Sequence, residues 1–147
     1  MKVLMLAKRF PKFHRSSGFE TGFAEKFLSG EKCHTCRLNE RGYFKTGDVV
    51  SVRQWSGVPY RSRQVVLRDG VGITVYPVEI MHSCCEGQHS VTVRVGGAIV
   101  DAVRFIYNDG LSLEDFIDWF FPHWRITPVR YWRGSVISFN GRRYDIA

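Results

Sequence analysis

No stretch of this 147-residue chain approaches the ~20 consecutive apolar residues of a membrane-spanning helix, so no membrane partner is expected. Cysteine is scarce as well. Cys33, Cys36, Cys84 and Cys85 are too few and too clustered for a secreted disulfide framework. The start, MKVLMLAKRF, has one lysine before a short apolar run and no small-residue cleavage site, which is not a secretion signal. A cytoplasmic location is therefore expected. Internal repeats and low-complexity linkers are lacking, which argues against solenoids and disordered tethers. Acidic residues are sparse at both ends: residues 1–68 carry 14 Lys/Arg against 5 Asp/Glu, and residues 125–147 carry 5 Arg against Asp145.

What is present describes a packed domain. Hydrophobic residues make up 44% of the chain, and 21 aromatics are too many for a solvated coil. A single domain spanning residues 1–147 is expected, long enough to bury roughly two-thirds of its unfolded surface. Residues 69–124 reverse the charge balance, with 2 Lys/Arg against 8 Asp/Glu. A polyanion would therefore meet the surface built by the first and last segments.

The pattern predicts many short strands and a few short helices. Val3–Ala7 reads as a first strand, and Phe10–Gly18 as a loop broken by Pro11 and Gly18. Ser17 with Glu20 has the spacing of a capping box, and Phe19, Phe23 and Phe27 recur at i+4, so a helix is expected up to Gly30. Period-two alternation through Val50 and Val52 gives a strand entered at Gly47–Asp48. Arg63–Leu67 and Ile73–Ile80 read as two strands joined by a turn at Asp69–Gly70. Gly96–Gly97 and Asn140–Gly141 are hairpin turns, the first between Ser90–Val95 and Ala98–Val100, the second between Val136–Phe139 and Arg142–Ile146. Short helices are expected over Asp101–Tyr107, broken at Gly110, and after Ser112, with Asp115 at the capping-box position and Pro122 as the stop. The resulting class is mainly β with short helices (α+β), a small β-barrel decorated by two or three helices.

The segment richest in chemistry is Gly30–Arg37, GEKCHTCR, directly after the first long helix pattern. Thr35 and Arg37 share a face if it is a strand, and a turn at residues 32–33 brings Lys32 to the same side. An ammonium, a hydroxyl and a guanidinium converging on one pocket suit an anionic or carbonyl-rich ligand. The segment fits GxKxxTxR, and here the sequence resembles the ASCH family of small PUA-like β-barrels associated with RNA and modified nucleosides. YFKTGDVVSV (Tyr43–Val52) is similar to that family's Gly-Asp turn entering a strand, and NDGLSLEDFIDWF (Asn108–Phe120) to its acidic-Gly-apolar-Ser segment and helix. The resemblance runs from about Gly18 to the end. It implies an ASCH/PUA-like barrel. From the members that hydrolyse acetylated cytidine it implies Thr35 as nucleophile, Lys32 activating it and Asp109 orienting it or relaying a proton. Asp109 stands where those members carry glutamate, one methylene longer.

Two further groups invite a function. Cys33-x-x-Cys36, with His34, His82, Cys84 and Cys85, has part of a zinc pattern but no matching second half. Buried reduced thiols are expected instead, with no metal and no cofactor. Arg53, Trp55, Tyr60, Arg61 and Arg63 surround the loop Ser56–Pro59, a basic-aromatic mix that suits stacking on single-stranded RNA. HWRITPVRYWR (His123–Arg133) repeats the mix as an opposite wall, and Phe10, Phe13 and His14 are placed to close over the site. The leading expectation is a module binding RNA or a modified nucleoside through Lys32, Thr35, Arg37, Arg53, Trp55, Tyr60 and Arg61. The alternative is an amidohydrolase on acylated cytidine-type nucleosides, or a ribonuclease, using Lys32, Thr35 and Asp109. A protein-interaction domain without nucleic acid comes third. The residues leave the ligand, RNA or DNA preference and oligomeric state open.

Overall fold

Alternation sets the first strand, Lys2–Leu6 (β1), in which Leu4 and Leu6 are buried while Lys2, Val3 and Met5 are half-covered. The computed structural model describes residues 1–126 and 129–139. The helix expected from Ser17 begins later, at Phe23, and runs Phe23–Ser29 (α1). Residues 9–20 form a back-folded ribbon instead. Arg9 bridges Glu20, the Phe10 amide bonds the Phe19 carbonyl at 3.0 Å, and the Gly18 amide returns to Phe10 at 3.2 Å. Within it the Ser17 amide, which a capping box would give to Glu20, donates to the His14 carbonyl at 3.0 Å, and Phe19 is 72% exposed. Phe23 and Phe27 alone form the buried face. Gly30, at φ 88°, ends the helix as expected.

His34–Arg37 (β2), Val49–Trp55 (β3) and Gln64–Cys85 (β4) follow. The turn expected at Asp69–Gly70 is absent, and β4 is one continuous strand of 22 residues. The Asp-Gly pair is absorbed as a bulge. Val50 pairs with Val71 and Val52 with Arg68, so β4 carries an extra residue there, with Gly70 at φ 71° and Ser51 Oγ donating to Asp69 across the irregularity. Gln88–Val95 (β5) and Ala98–Val100 (β6) form the expected hairpin, with Gly96 and Gly97 both at positive φ as a type I′ turn requires. Ala102–Asn108 (α2) is capped by the Asp101 carboxylate and Leu113–Phe120 (α3) by the Ser112 hydroxyl, which accepts from the Asp115 amide. The last strand, Val129–Phe139 (β7), starts seven residues before the expected Val136. The expected hairpin at Asn140–Gly141 and the strand to Ile146 lie outside the described residues.

The sheet is mixed. β1 lies parallel to β3, and all other pairs are antiparallel, in the order β1-β3-β4-β5-β6. A branch leaves β4 through β7 to β2. β1 and β2 are therefore both edges among the described residues, and no ladder joins them, so the described sheet does not close into the expected barrel. Mainly β with three helices is the architecture that stands. One apolar cluster draws on every strand except β2, with Val50, Val52, Ile80 and Ile137 fully buried, and on α1, α2 and α3 through Phe27, Phe105 and Phe116. Each such side chain contributes about 1.5–3 kcal/mol relative to exposure. Among the described residues no helix is long and apolar enough to cross a membrane.

Candidate functional site

The unjoined edges both line one cleft of about 450 Å³. Met5 and Leu6 of β1, with Ala7 just beyond it, line one side, and Thr35, Cys36 and Arg37 line it from β2. The Arg37 Nη2 donates to the Met5 carbonyl, so a side chain rather than a ladder spans the seam.

The helix stop positions Lys32. After Gly30 the Lys32 amide reaches back to the Lys26 carbonyl at 3.0 Å, and the Cys33 amide donates to Asn108 O at 2.8 Å. The Cys33 carbonyl then accepts from the Phe139 amide at 2.9 Å. The segment is thus sewn between the end of α2 and β7. The last carbonyls of a helix lack internal partners, and here lysines supply them. Lys32 Nζ donates to Asp109 O at 2.6 Å and Lys26 Nζ to Gly110 O at 2.8 Å. Lys32 also meets Asp109 Oδ1 at 3.2 Å and lies 4.1 Å from the centre of the Phe23 ring. Both members of the pair are buried, at 3% and 4% exposure. Burial pushes the Lys32 ammonium below its ordinary value against the pull of Asp109. Burial pushes the Asp109 carboxyl up, opposed by Lys32 and Arg37.

Gly110 sits in this turn because of its backbone. Its φ of 82° suits glycine, and a Cβ would stand 3.4 Å from Lys32 Cδ and 3.5 Å from Lys26 Cδ. Gly134 on β7 is tighter still, because a Cβ there would lie 2.6 Å from the Arg37 carbonyl oxygen and 2.5 Å from Trp132 Cη2.

The structure brings together Lys32, Thr35, Arg37, Asp109, Trp55 and Tyr60 on one cleft. Trp55 and Tyr60 form one aromatic lip, with ring centres 5.2 Å apart. Phe120 and Trp132 form the other, 4.9 Å apart, with Trp119 alongside. Arg53 and Arg61 do not line the cleft. Arg53 bonds Ser51 Oγ at 2.9 Å and Gln64 Oε1 at 2.8 Å, and Arg61 is exposed on the loop beyond Trp55. The expected opposite wall is only partly right, since Trp132 is in it while Trp124 packs over the His82–His89 pair at ring distances of 6.1 and 4.7 Å. Phe10 is core and stacks on His14, and His14 Nε2 donates to Asp115 O at 2.8 Å, given that its Nδ1 accepts from Ser16 N. Neither residue lines the cleft. Phe13 is 55% exposed and likewise outside it.

Sequence reasoning missed Phe23 and the Met5–Ala7 wall of the cleft, and it offered His34 only as part of a zinc pattern. His34 Nε2 lies 3.7 Å from Asp109 Oδ1, and His34, Cys36 and Asp109 hold ligand atoms within 4.8 Å of one another. This set differs from the cysteine-centred one the sequence suggested. Two cations already attend its carboxylate, because Lys32 sits 3.2 Å away and Arg37 pulls on it electrostatically. Burial holds the Cys36 thiol well above its ordinary value, which disfavours the thiolate a metal needs. The four cysteines are unpaired thiols.

Compared with known proteins, the chain matches no family model, no curated protein and no solved structure.

Proposed function

We propose that the cleft binds RNA or a modified nucleoside, with the base stacked between the Trp55–Tyr60 lip and Trp132 and with Lys32, Thr35 and Arg37 reading its polar edge. The observation that carries this is the juxtaposition itself. Two aromatic lips face a floor holding an ammonium, a hydroxyl and a guanidinium, in about 450 Å³. The fold that goes with this reading is an ASCH, PUA-like barrel left open along the β1–β2 seam, as a single domain. A cytoplasmic setting accords with four unpaired thiols. Arg61 and Arg63, exposed beside the Trp55 lip, add the salt-sensitive contacts of a strand.

The test is a tryptophan-fluorescence titration with cytidine, N4-acetylcytidine and a short single-stranded RNA. Saturable quenching that is lost in Trp55→Ala supports the reading. An unchanged signal with all three, in a protein whose melting curve is cooperative, refutes it.

A hydrolytic second reading rests on Thr35 lying in the same cleft as the Lys32–Asp109 pair. In it, Lys32 with its lowered pKa shares its proton with Asp109 and takes one from Thr35 as the hydroxyl attacks the amide carbonyl. It passes that proton to the cytosine amine as the C–N bond breaks, and water then hydrolyses the acetyl ester on Thr35 to acetate. Mass-spectrometric detection of cytidine from N4-acetylcytidine, abolished in a folded Thr35→Ala variant, would support it. No product from the wild-type protein would remove it and leave binding intact.

A further inference from the structure

The charges lining the cleft do not balance. Lys32 and Arg37 bring two positive charges and Asp109 one negative, and among the described residues no other Asp, Glu, Lys or Arg lines it. Asp109 is matched by Lys32 at 3.2 Å. Arg37 shares that one carboxylate only through space, its hydrogen bond goes to a neutral group, the Met5 carbonyl, and its Nε, covered from solvent, has no acceptor. A guanidinium keeps its charge in any protein setting, and covering it without an anion costs stability that an incoming acceptor restores. The position matters as much as the charge. Arg37 spans the seam between the two sheet edges and lines the same cleft as Lys32, Asp109, Trp55 and Tyr60.

A ligand that complements this arrangement has a flat ring for the lips and one unit of negative charge for Arg37. A neutral nucleoside supplies the ring but no charge. A terminal phosphate carries between one and two charges near neutrality. An internal phosphodiester carries one, and a planar guanidinium binds its two unesterified oxygens in a fork.

We infer that the cleft takes a nucleotide unit within a strand, its base between the aromatic lips and its phosphodiester on Arg37. This rests on the nucleic-acid reading above and narrows it from nucleoside to strand.

The experiment titrates the intact chain, by tryptophan fluorescence at fixed ionic strength, with cytidine, cytidine 5′-monophosphate and the dinucleotide cytidylyl-3′,5′-cytidine. The dinucleotide is expected to bind at least about tenfold more tightly than cytidine, as one charge-assisted contact implies, and the monophosphate no better than the dinucleotide. In Arg37→Gln the ratio of dinucleotide to cytidine affinity should fall to about one, whatever is lost in cytidine binding itself. Arg37→Lys keeps the charge without the fork and should retain an intermediate ratio, which separates lost charge from a damaged fold. Equal affinity of the wild type for cytidine and the dinucleotide, or a preference that survives in Arg37→Gln, overturns the inference and leaves nucleoside binding standing. A monophosphate preferred over the dinucleotide overturns the strand assignment in favour of a chain end. Failure of all three probes to bind removes the underlying reading as well.

Discussion

Replacing Lys32 by methionine tests whether the Lys32–Asp109 pair is built into the fold or only rests in the cleft. At 3.2 Å, two unit charges attract by about 5 kcal/mol at an effective dielectric constant of ~20. The cost of taking both out of water offsets much of that. Removing one partner is different, because the other stays buried and unpaired. Lys32→Met strands the Asp109 carboxylate, deprives Asp109 O of its donor and ends the contact with Phe23, so a loss of about 3–5 kcal/mol is expected. That is a large share of the roughly 5–15 kcal/mol that holds a domain. Asp109→Asn should cost less, since the ammonium keeps the carbonyl at 2.6 Å. The double variant should be more stable than the sum of the single losses predicts, by up to about 3 kcal/mol. The sign of the pH dependence follows from Asp109. Burial raises its carboxyl from 3.8, so the folded state binds the proton more tightly, and stability falls as pH rises from 3.8 through the folded value. Without Lys32 the carboxyl rises further, and Lys32→Met should recover toward the wild type as pH falls. Urea denaturation at neutral and mildly acidic pH reads all of this. A loss below about 1 kcal/mol, typical of an exposed pair and independent of pH, would refute the reasoning.

Three further outcomes are expected. Gly134→Ala sets a Cβ 2.6 Å from the Arg37 carbonyl oxygen, so β2 must move off β7 at a cost of about 1–3 kcal/mol, visible as a lower denaturation midpoint together with weakened ligand-induced quenching. Asp118 is pushed up by burial, but hydrogen bonds from Arg15 at 2.6 and 3.1 Å and from Trp124 at 3.1 Å outweigh this and hold its carboxyl below 3.8. Its stabilisation is therefore present above the ordinary value and lost as pH falls through the folded one. Arg15 is 36% exposed, which limits the effect to about 1 kcal/mol, and Asp118→Asn should flatten the acid limb of a thermal-melting series. Neutralising the exposed Arg61 should weaken single-stranded RNA binding across sequences and reduce the slope of log K against log salt by about 0.7, whereas an unchanged slope would exclude it from the strand's path.

The elements that the sequence made legible are those whose signal is local and chemical. Gly96–Gly97 can turn a hairpin because both residues adopt positive φ, and Asp101 and Ser112 cap helices because their side chains reach an amide three residues on. Elements that depend on distant partners were misread. Ser17 and Glu20 have capping-box spacing, but pairing of residues 9–20 with one another decides their conformation. Asp69–Gly70 reads as a turn, yet the long partners β3 and β7 hold β4 straight through it and leave a bulge. Within the site, the spacing of Lys32, Thr35 and Arg37 pointed to one pocket, and the cleft has all three. Nothing local told that Trp132 would face that pocket while Trp124 covered His82, since only register against β4 and the path after α3 separate them. The β1 wall of the cleft was hidden for the same reason, because Met5 meets Arg37 across 32 residues of chain.

The open seam unites fold and function. A sheet whose edges pair completely has no exposed amides and carbonyls to satisfy and no room for a ligand between them. Here β1 is held on one side by its parallel ladder to β3, and β2 on one side by four residue pairs with β7. Their facing edges are kept apart by what lies beneath. Lys32, Asp109 and the end of α2 occupy the floor, and Gly134 admits Trp132 against the β2 backbone. Arg37 is the one described side chain of the GEKCHTCR segment that bonds across the gap, and it does so with a group that can serve equally well on an anion. A ligand that takes over this arginine therefore competes with a contact that holds the two edges together. It follows that binding and the width of the seam are coupled. Ligand-dependent change in hydrogen exchange should then appear at the amides of β1 and β2 rather than at the β5–β6 hairpin, which shares no residue with the cleft.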